Sequence, residues 1–518
     1  MSFATLFRLA KAGLVLARHD AILPREYQAI LPLPARLMGQ LARLFSQKGE
    51  GGPGERLARA LEQLGPSYVK FGQFLASRGD ILTPEIADGL AGLRDKMPPF
   101  SMDEARAALA EAFGEDSEAR FAGLAEPVAA ASVAQVHPLV LEDGTRLAVK
   151  ILRPGIEERI QKDIEAMALG ARLIERFLPA ARRLEPSQFV QTLSRSLMLE
   201  MDLRMEAAGA SELAELMDSQ SGVAIPEVDW SRTRLRVFTM AWLDGVPLSD
   251  PAALQQSKID KVALGKTITG SFLQSALDHG VFHADMHEGN LFALDDGRLG
   301  MVDFGIIGRI GPAQRRYLAE ILYGFLRRDY RRVAEVHFEA GYVPEDYGVD
   351  DFAQALRAVG EPIFGKTAKD VSMSHLLLQL FDVTAQFDMH LRPELVLLQK
   401  TMVQVEGVAR MLDPDHDLWG TAAPVVENWI ARELGPEGMV NDAYDTLREL
   451  HRVLVALPTA IESGTQIITD ARKNGLKLSE ESLAHLAEAQ AHRTRWGRRA
   501  LVVLALAAGA FALHLWIF

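Results

Sequence analysis

The chain has no cysteine among its 518 residues. Disulfides and thiolate metal sites are therefore excluded, and a reducing compartment fits. Surplus basic charge is missing too: the net charge is −13, which argues against a uniformly basic nucleic-acid-binding protein. No G-x-G-x-x-G follows a strand-like run, so nothing points to a flavin or dinucleotide fold. There is no obvious glycine-rich phosphate loop, no internal repeat and no low-complexity tract beyond one short linker. What is present is apolar: 48% of residues are hydrophobic, enough to bury a large core. The length allows two or three domains, or one enlarged enzyme domain.

The two ends have different characters. Residues 500–518 carry no charge apart from a titratable His514. At about 1.5 Å per residue such a helix spans about 28 Å, close to a hydrocarbon core. Arg493, Arg495, Arg498 and Arg499 precede it and would hold that flank on the cytoplasmic side. The expectation is a transmembrane anchor, against the alternative of a buried C-terminal helix. At the other end, Phe3, Leu6, Phe7, Ala10 and Leu14 recur at helical spacing. Arg8 and Lys11 interrupt any apolar run, so a secretory signal is not expected. An amphipathic helix lying on a membrane fits, and so does one packed on the core.

Between the ends the pattern is mostly helical. Residues 46–54, SQKGEGGPG, read as a linker, and Glu55 to Ala76 as a helical stretch. Two hairpins stand out. One is 136–152, turning at Asp143-Gly144; the other is 290–305, turning at Asp296-Gly297. RLRVFTMAWL at 234–243 reads as a strand, and the chain from Pro312 to about Trp496 as helices.

Chemistry concentrates in HADMHEGNLF at 283–292 and VDFG at 302–305. Phosphoryl transfer needs a carboxylate to receive the acceptor's proton, and an Asn and an Asp to hold magnesium against the phosphates. Asp285, Asn290 and Asp303 have the order and spacing of that set. Each fragment alone is weak, but H-x-D-x-x-x-x-N followed by D-F-G is specific. A competing reading takes His283, Asp285 and His287 as alternating ligands for zinc or iron, which leaves Asn290 and VDFG unexplained. The plainest alternative is a pair of ordinary turns.

Lys150 ends AVK in the first hairpin, where a strand lysine would reach the α- and β-phosphates. Upstream, Ala129, Ala130, Ala131, Ser132, Val133, Ala134 and Gln135 stand where a glycine-rich loop would lie. Small side chains still admit phosphates, but Ala is reluctant to take positive φ, so the turn should be stiffer. A helical glutamate should pair with Lys150, and spacing alone prefers Glu165 or Glu175.

Together these pieces resemble the UbiB/ADCK family of atypical kinases, over roughly residues 55–330. The Ala-rich turn AAASVAQVH, Lys70-Phe-Gly-Gln73, Glu200-Met-Asp202, the H-x-D-x-H-x-G-N loop and DFG match the family's motifs in order. The resemblance implies an α+β, protein-kinase-like two-lobed fold with an N-terminal helical extension and a large helical C-lobe. The extension would cover the site where a peptide would otherwise lie. It implies that Lys70 meets the pair Glu200 and Asp202 near the phosphates, that Glu206 partners Lys150, and that 151–198 is a helical insertion. It also implies ATP and Mg2+ as cofactors, with Lys150, Glu206 and the Ala-rich turn on the nucleotide and Asn290 and Asp303 on the metal.

The expected organisation is an amphipathic region and linker at 1–54, the helical extension at 55–125, an N-lobe at 126–245, a C-lobe at 246–496 and the anchor at 500–518. Independently of the family, no Ala-Pro-Glu follows DFG within forty residues. A helix begins at about Pro312 instead. The missing docking loop and the pocket that the resemblance implies is covered both argue against protein phosphorylation in trans. The functional expectation is a kinase or ATPase at the inner membrane, facing the cytoplasm, that supports ubiquinone synthesis by acting on or presenting polyprenyl-phenol lipids. Quinone-synthesis enzymes are expected partners, a homodimer stays open, and no nucleic acid is expected. The resemblance differs in one respect: bacterial relatives often carry two C-terminal spans, and one is expected here. The alternatives are a small-molecule or lipid kinase, like aminoglycoside and choline kinases, and a nucleotide-binding pseudokinase scaffold. A 2-polyprenylphenol 6-hydroxylase finds no support in the residues.

Overall fold

The computed structural model describes residues 3–21, 51–76, 83–91, 97–177, 185–217, 222–361, 386–389 and 393–435, with a few single positions between them. Residues 1–430 form one compact unit, which holds the whole site; 431–518 form a second. The expected membrane span at 500–518, its arginine flank and the first half of the 46–54 linker lie outside the described residues. Among the described residues no helix is long and apolar enough to cross a membrane.

Helix α1 (Phe3–Arg18) forms as its periodicity suggests, but its packing face is small. Ala12, Val15 and Ala17 are buried, and Arg8 reaches inward to Asp163 at 2.6 Å. The large apolar side chains point outward: Phe3 is 85% and Phe7 65% exposed.

The helical stretch expected over 55–76 consists of two helices, α2 (Pro53–Leu64) and α3 (Pro66–Ala76). Gly65 takes φ +107°, and Pro66 cannot continue a helix hydrogen-bond ladder. The expected linker also ends early, because Pro53 opens α2 as a first-turn proline. Gly54 is a contact point. A Cβ on Gly89 of α4 (Pro84–Ala91) would sit 2.4 Å from the Gly54 carbonyl carbon, so the two helices meet backbone to backbone.

After α5 (Met102–Phe113), capped by a Ser101–Glu104 capping box, the first sheet begins. Strands β1 (Ala129–Ala130), β2 (Ala134–Val140) and β3 (Arg146–Leu152) run as an antiparallel meander, the β2–β3 turn carrying Gly144 at φ +86°. Val237–Ala241, which is β5, pairs with β3, giving the order β1-β2-β3-β5. One sheet face packs under α5 through Leu139, Leu147, Val149, Ile151 and Val237. By alternation, Lys150 faces the other way.

Three helices separate β3 from β5: α6 (Ile156–Phe177), α7 (Pro186–Glu200) and α8 (Leu203–Leu216). The first two pack on each other and form the expected insertion, against which α1 and α3 dock. Strands β4 (Val223–Ala224), β6 (Gly245–Pro247), β8 (Leu291–Leu294) and β9 (Leu299–Met301) form a second sheet, in the order β4-β9-β8-β6. Its β8–β9 hairpin is the one expected at 290–305. The HADMHEGNLF stretch starts at the end of β7 (Val281–His283), which pairs antiparallel with β10 (Ile307–Arg309). Ahead of it, α9 (Lys261–Gln274) widens into a π turn at Ser275–His279. The Leu277 carbonyl accepts from Trp429 Nε1 at 2.9 Å and the Asp278 carbonyl from Arg315 at 2.6 Å, so the wide turn keeps its backbone satisfied.

The remainder is helical: α10 (Pro312–Arg327), α11 (Tyr330–Glu339), α12 (Val349–Gly360), α13 (Pro393–Leu412) and α14 (Leu418–Glu433). Phe325, Tyr330, Phe352, Leu356 and Leu418 build its core. Each such side chain contributes roughly 2–3 kcal/mol on burial. Helix α13 runs along α9, where Thr269 bonds His416 at 3.0 Å.

Candidate active site

Lys150 stands in the middle of β3 with its ammonium held by two carboxylates. Glu206 Oε1 and Oε2 lie 2.7 and 2.8 Å from Nζ, and Asp303 Oδ1 lies 3.4 Å away. Spacing favoured Glu165 or Glu175. Glu175 instead accepts from the Ser187 N–H at 2.8 Å, at the start of α7. The two-helix insertion is what carries the partner 56 residues along the chain to α8.

The charges in this cluster depend on one another. Burial opposes the Lys150 ammonium, but Asp303 and Glu206 together raise it above lysine's ordinary value. Lys150 holds the Asp303 carboxyl down to about 2, against the effect of burial. Glu206 is the more deeply buried carboxylate, and burial pushes it up to about 7 despite Lys150. Asp303 also takes φ +62°, a left-handed conformation uncommon for a non-glycine residue and one that functional sites retain. Phe304 behind it is buried against the His283 ring at 5.4 Å.

The H-x-D loop is built around His283. Its Nε2–H donates to the Val302 carbonyl at 3.0 Å, and its Nδ1 accepts the Asp285 N–H at 3.1 Å. Burial lowers the pKa of this ring below the ordinary histidine value. His287 Nδ1 accepts the Gly289 N–H at 3.0 Å, and its Nε2 lies 3.6 Å from Asp285 Oδ2. A zinc or iron site on His283, Asp285 and His287 is therefore ruled out by bonding. Both His283 nitrogens are spent on backbone, as is one of His287, and among the described residues no group of three or more metal-ligating side chains gathers.

A harder cation fits better. Asn290 donates its amide to the Asp285 carbonyl at 3.0 Å, which leaves the amide oxygen for a cation. With the Asp303 carboxylate it offers the oxygen donors that magnesium takes when phosphates complete its shell.

The Ala-rich turn is fixed from its own end. Arg153 Nε and Nη2 both donate to the Ala131 carbonyl, at 2.9 and 2.8 Å, and the Ala131 N–H donates to Ala134 at 2.8 Å. Ser132 and Val133 are buried inside the turn, whereas Ala129 is exposed and Ala130 half-buried. Gln135 departs from the expected nucleotide contact. Its side chain accepts from Phe100 N at 3.0 Å, donates to Phe100 O at 3.2 Å and meets His137 at 2.8 Å. Gln135 pairs across the strands with Ile151, so it lies on the face away from Lys150.

The N-terminal extension reaches the same cleft. Lys70 Nζ lies 3.1 Å from Glu200 Oε2, and its charge helps lower Asp303. The rest of the Lys-Phe-Gly-Gln stretch anchors α3. Phe71 packs on Phe189, Gln73 donates to the Leu93 carbonyl at 3.5 Å, and a Cβ on Gly72 would collide with Leu93 and Leu61 at 2.5 and 2.6 Å. Asp202, expected beside Glu200 on Lys70, caps α8 by accepting the Arg204 N–H at 3.1 Å and pairs with that side chain at 2.8 and 2.7 Å. A residue opening a helix is strongly drawn to such a cap.

Sequence reasoning missed three residues of α13. Lys400 Nζ lies 3.3 Å and Gln404 Nε2 3.0 Å from Asp285 Oδ1, while Thr401 donates to the Ala284 carbonyl at 3.2 Å. More than a hundred residues separate them from the loop, and a lone lysine in an apolar helix carries no signal.

Residues 92–337 match the family model of the ABC1 atypical kinase-like domain, and 356–417 that of the UbiB helical domain. A "Probable protein kinase UbiB" of Marinobacter nauticus is 37% identical over 98% of this chain and 93% of its own length. One of Cellvibrio japonicus is 38% identical over 98% of this chain and 92% of its own. A solved structure of a Mycobacterium tuberculosis protein in complex with erythromycin is 22% identical, covers 78% of this chain and 98% of its own, and superposes with a TM-score of 0.48.

Proposed function

The chain belongs to the UbiB family of ABC1-type atypical kinases, and from that premise we propose a membrane-associated enzyme of ubiquinone biosynthesis that turns over Mg-ATP in response to polyprenyl-phenol lipids. The observation that carries the reading is the Lys150–Glu206–Asp303 cluster facing the Asp285 loop. A bound magnesium nucleoside triphosphate supplies the phosphoryl group and the bridging cation. Lys150, tied by Glu206, is pre-positioned for the phosphates. Asn290 and Asp303 would hold the cation. Asp285, with Oδ2 unclaimed by α13, receives the proton of the acceptor hydroxyl.

Closure of the cleft supports hydrolysis or a small acceptor over a protein substrate. From Gly305 to Pro312 the chain spends its length on β10 and then starts α10, leaving no loop to dock a peptide. Lys70 on α3 reaches in over Glu200. Membrane association has its own support. The outward residues Phe3, Leu6 and Phe7 of α1, and Ile174 and Phe177 of α6, are exposed large apolar side chains on two helices that pack together. We place the kinase core on the cytoplasmic side, with quinone-synthesis enzymes as partners.

The test is ATP turnover by the full chain in anionic liposomes, with and without a phenol mimic of a quinone precursor, beside Asp285→Asn. Release of inorganic phosphate that rises with lipid or phenol and vanishes in the variant supports the reading. Phosphate covalently on the phenol moves it to a lipid kinase. ATP binding without turnover leaves a scaffold.

A further inference from the structure

We infer that the helical domain completes the active site: Gln404 of α13 contacts the phosphoryl acceptor, and Lys400, one turn earlier, positions Asp285 for it. The inference rests on the reading of Asp285 as the proton acceptor.

The geometry is specific. Residues 400, 401 and 404 share one face of α13, and all three close on the two residues Ala284 and Asp285. Thr401 is fully buried and also bonds the Leu397 carbonyl of its own helix, so the register of α13 against the loop is fixed. Lys400 and Gln404 both engage Oδ1 of Asp285. The carboxylate is thereby held in one rotamer, with Oδ2 untouched by α13, beyond hydrogen-bond distance of His287 Nε2 at 3.6 Å, and turned to receive a proton. Gln404 commits its amide nitrogen to that contact, and its Oε1 is buried with no hydrogen-bond donor among the described residues. A buried amide oxygen without a donor is costly, and native sites that keep one have a use for it. Here it lies beside the proton acceptor, where a water whose first O–H faces Asp285 would bring a second O–H as donor.

In the step so arranged, the acceptor oxygen bonds to the γ-phosphorus of the nucleoside triphosphate. The bond from that phosphorus to the bridging oxygen breaks, leaving its electron pair on the diphosphate. The acceptor proton passes to Oδ2 of Asp285. Gln404 Oε1 orients the attacking oxygen, as glutamines do for water in other phosphoryl-transfer sites.

The experiment measures steady-state ATP turnover of the full chain as wild type, Gln404→Leu, Lys400→Met and Lys400→Arg, each also combined with Asp285→Asn, with thermal melts alongside. Expected is a fall in kcat of about a hundredfold for Gln404→Leu and for Lys400→Met, with KM for ATP nearly unchanged. Lys400→Arg should restore part of the loss. Neither substitution should lower turnover further once Asp285 is Asn, because all three act in one step. Variants that turn over like the wild type overturn the inference alone. So do losses that track the melting temperature, or that add in full to Asp285→Asn. A wild type that binds ATP but never turns it over overturns both the reading of function and this inference.

Discussion

Two lysines reach the cleft from outside the kinase-like sheets, one from each flank of the chain. Lys70 comes from α3 and meets Glu200; Lys400 comes from α13 and meets Asp285. The two pairs have similar lengths, 3.1 and 3.3 Å, yet their partners differ in kind. Glu200 ends a helix of the insertion and shapes the entrance. Asp285 is the residue to which the proposed step assigns the acceptor proton. A lysine's importance here is therefore set by the carboxylate it holds, and the ion-pair distance says little about it.

The largest effect should come from separating those two carboxylates. Asp285→Asn should lower ATP turnover about a thousandfold, as loss of a general base does. Glu200→Gln should lower it about tenfold, in line with one partly exposed ion pair. Equal losses in the two variants, read in the same turnover assay, would break the distinction. A smaller effect concerns the entrance pair alone. Lys70→Met should match Glu200→Gln, and the double variant should be no worse than the poorer single one. Additive losses would mean that Lys70 works through Asp303, whose charge it also stabilises.

The smallest effect lies away from both lysines, in the core of the helical region. His337 is buried between Tyr342 and Phe352, its Nδ1–H donates to the Val333 carbonyl at 2.7 Å, and burial lowers it to about 4. Its folded pKa lies below the unfolded one, so the unfolded chain binds the proton first. Its contribution is complete above about pH 6.5 and is lost as pH falls toward 4, up to about 3 kcal/mol. Chemical denaturation at pH 7 and pH 4.5 should show that slope in the wild type and a flatter one in His337→Leu. Parallel slopes would sink this account of His337.

Much of this was legible from residues. Both hairpins announced themselves by Asp-Gly turns between apolar runs, and the D-x-x-x-x-N and D-F-G spacing placed three groups around one point. Other features were hidden for identifiable reasons. The Glu206 partnership is invisible to spacing, because two inserted helices separate it from Lys150. Gly54 read as linker because a close helix crossing and a flexible joint use the same residue. Gln135 and Asp202 lie inside motifs, but strand alternation turned the first away and helix capping claimed the second. Lys400 and Gln404 sit in a helix whose pattern shows only that it is helical; what they touch is a property of the fold.

The most direct measurement follows the γ-phosphoryl group of labelled ATP supplied with a mixed peptide library and phenol-bearing anionic liposomes. A site closed by α3 and completed by α13 should send the label to inorganic phosphate or to the lipid fraction, dependent on Asp285, and leave the peptides unlabelled. Asp285-dependent label on the peptides would contradict the account.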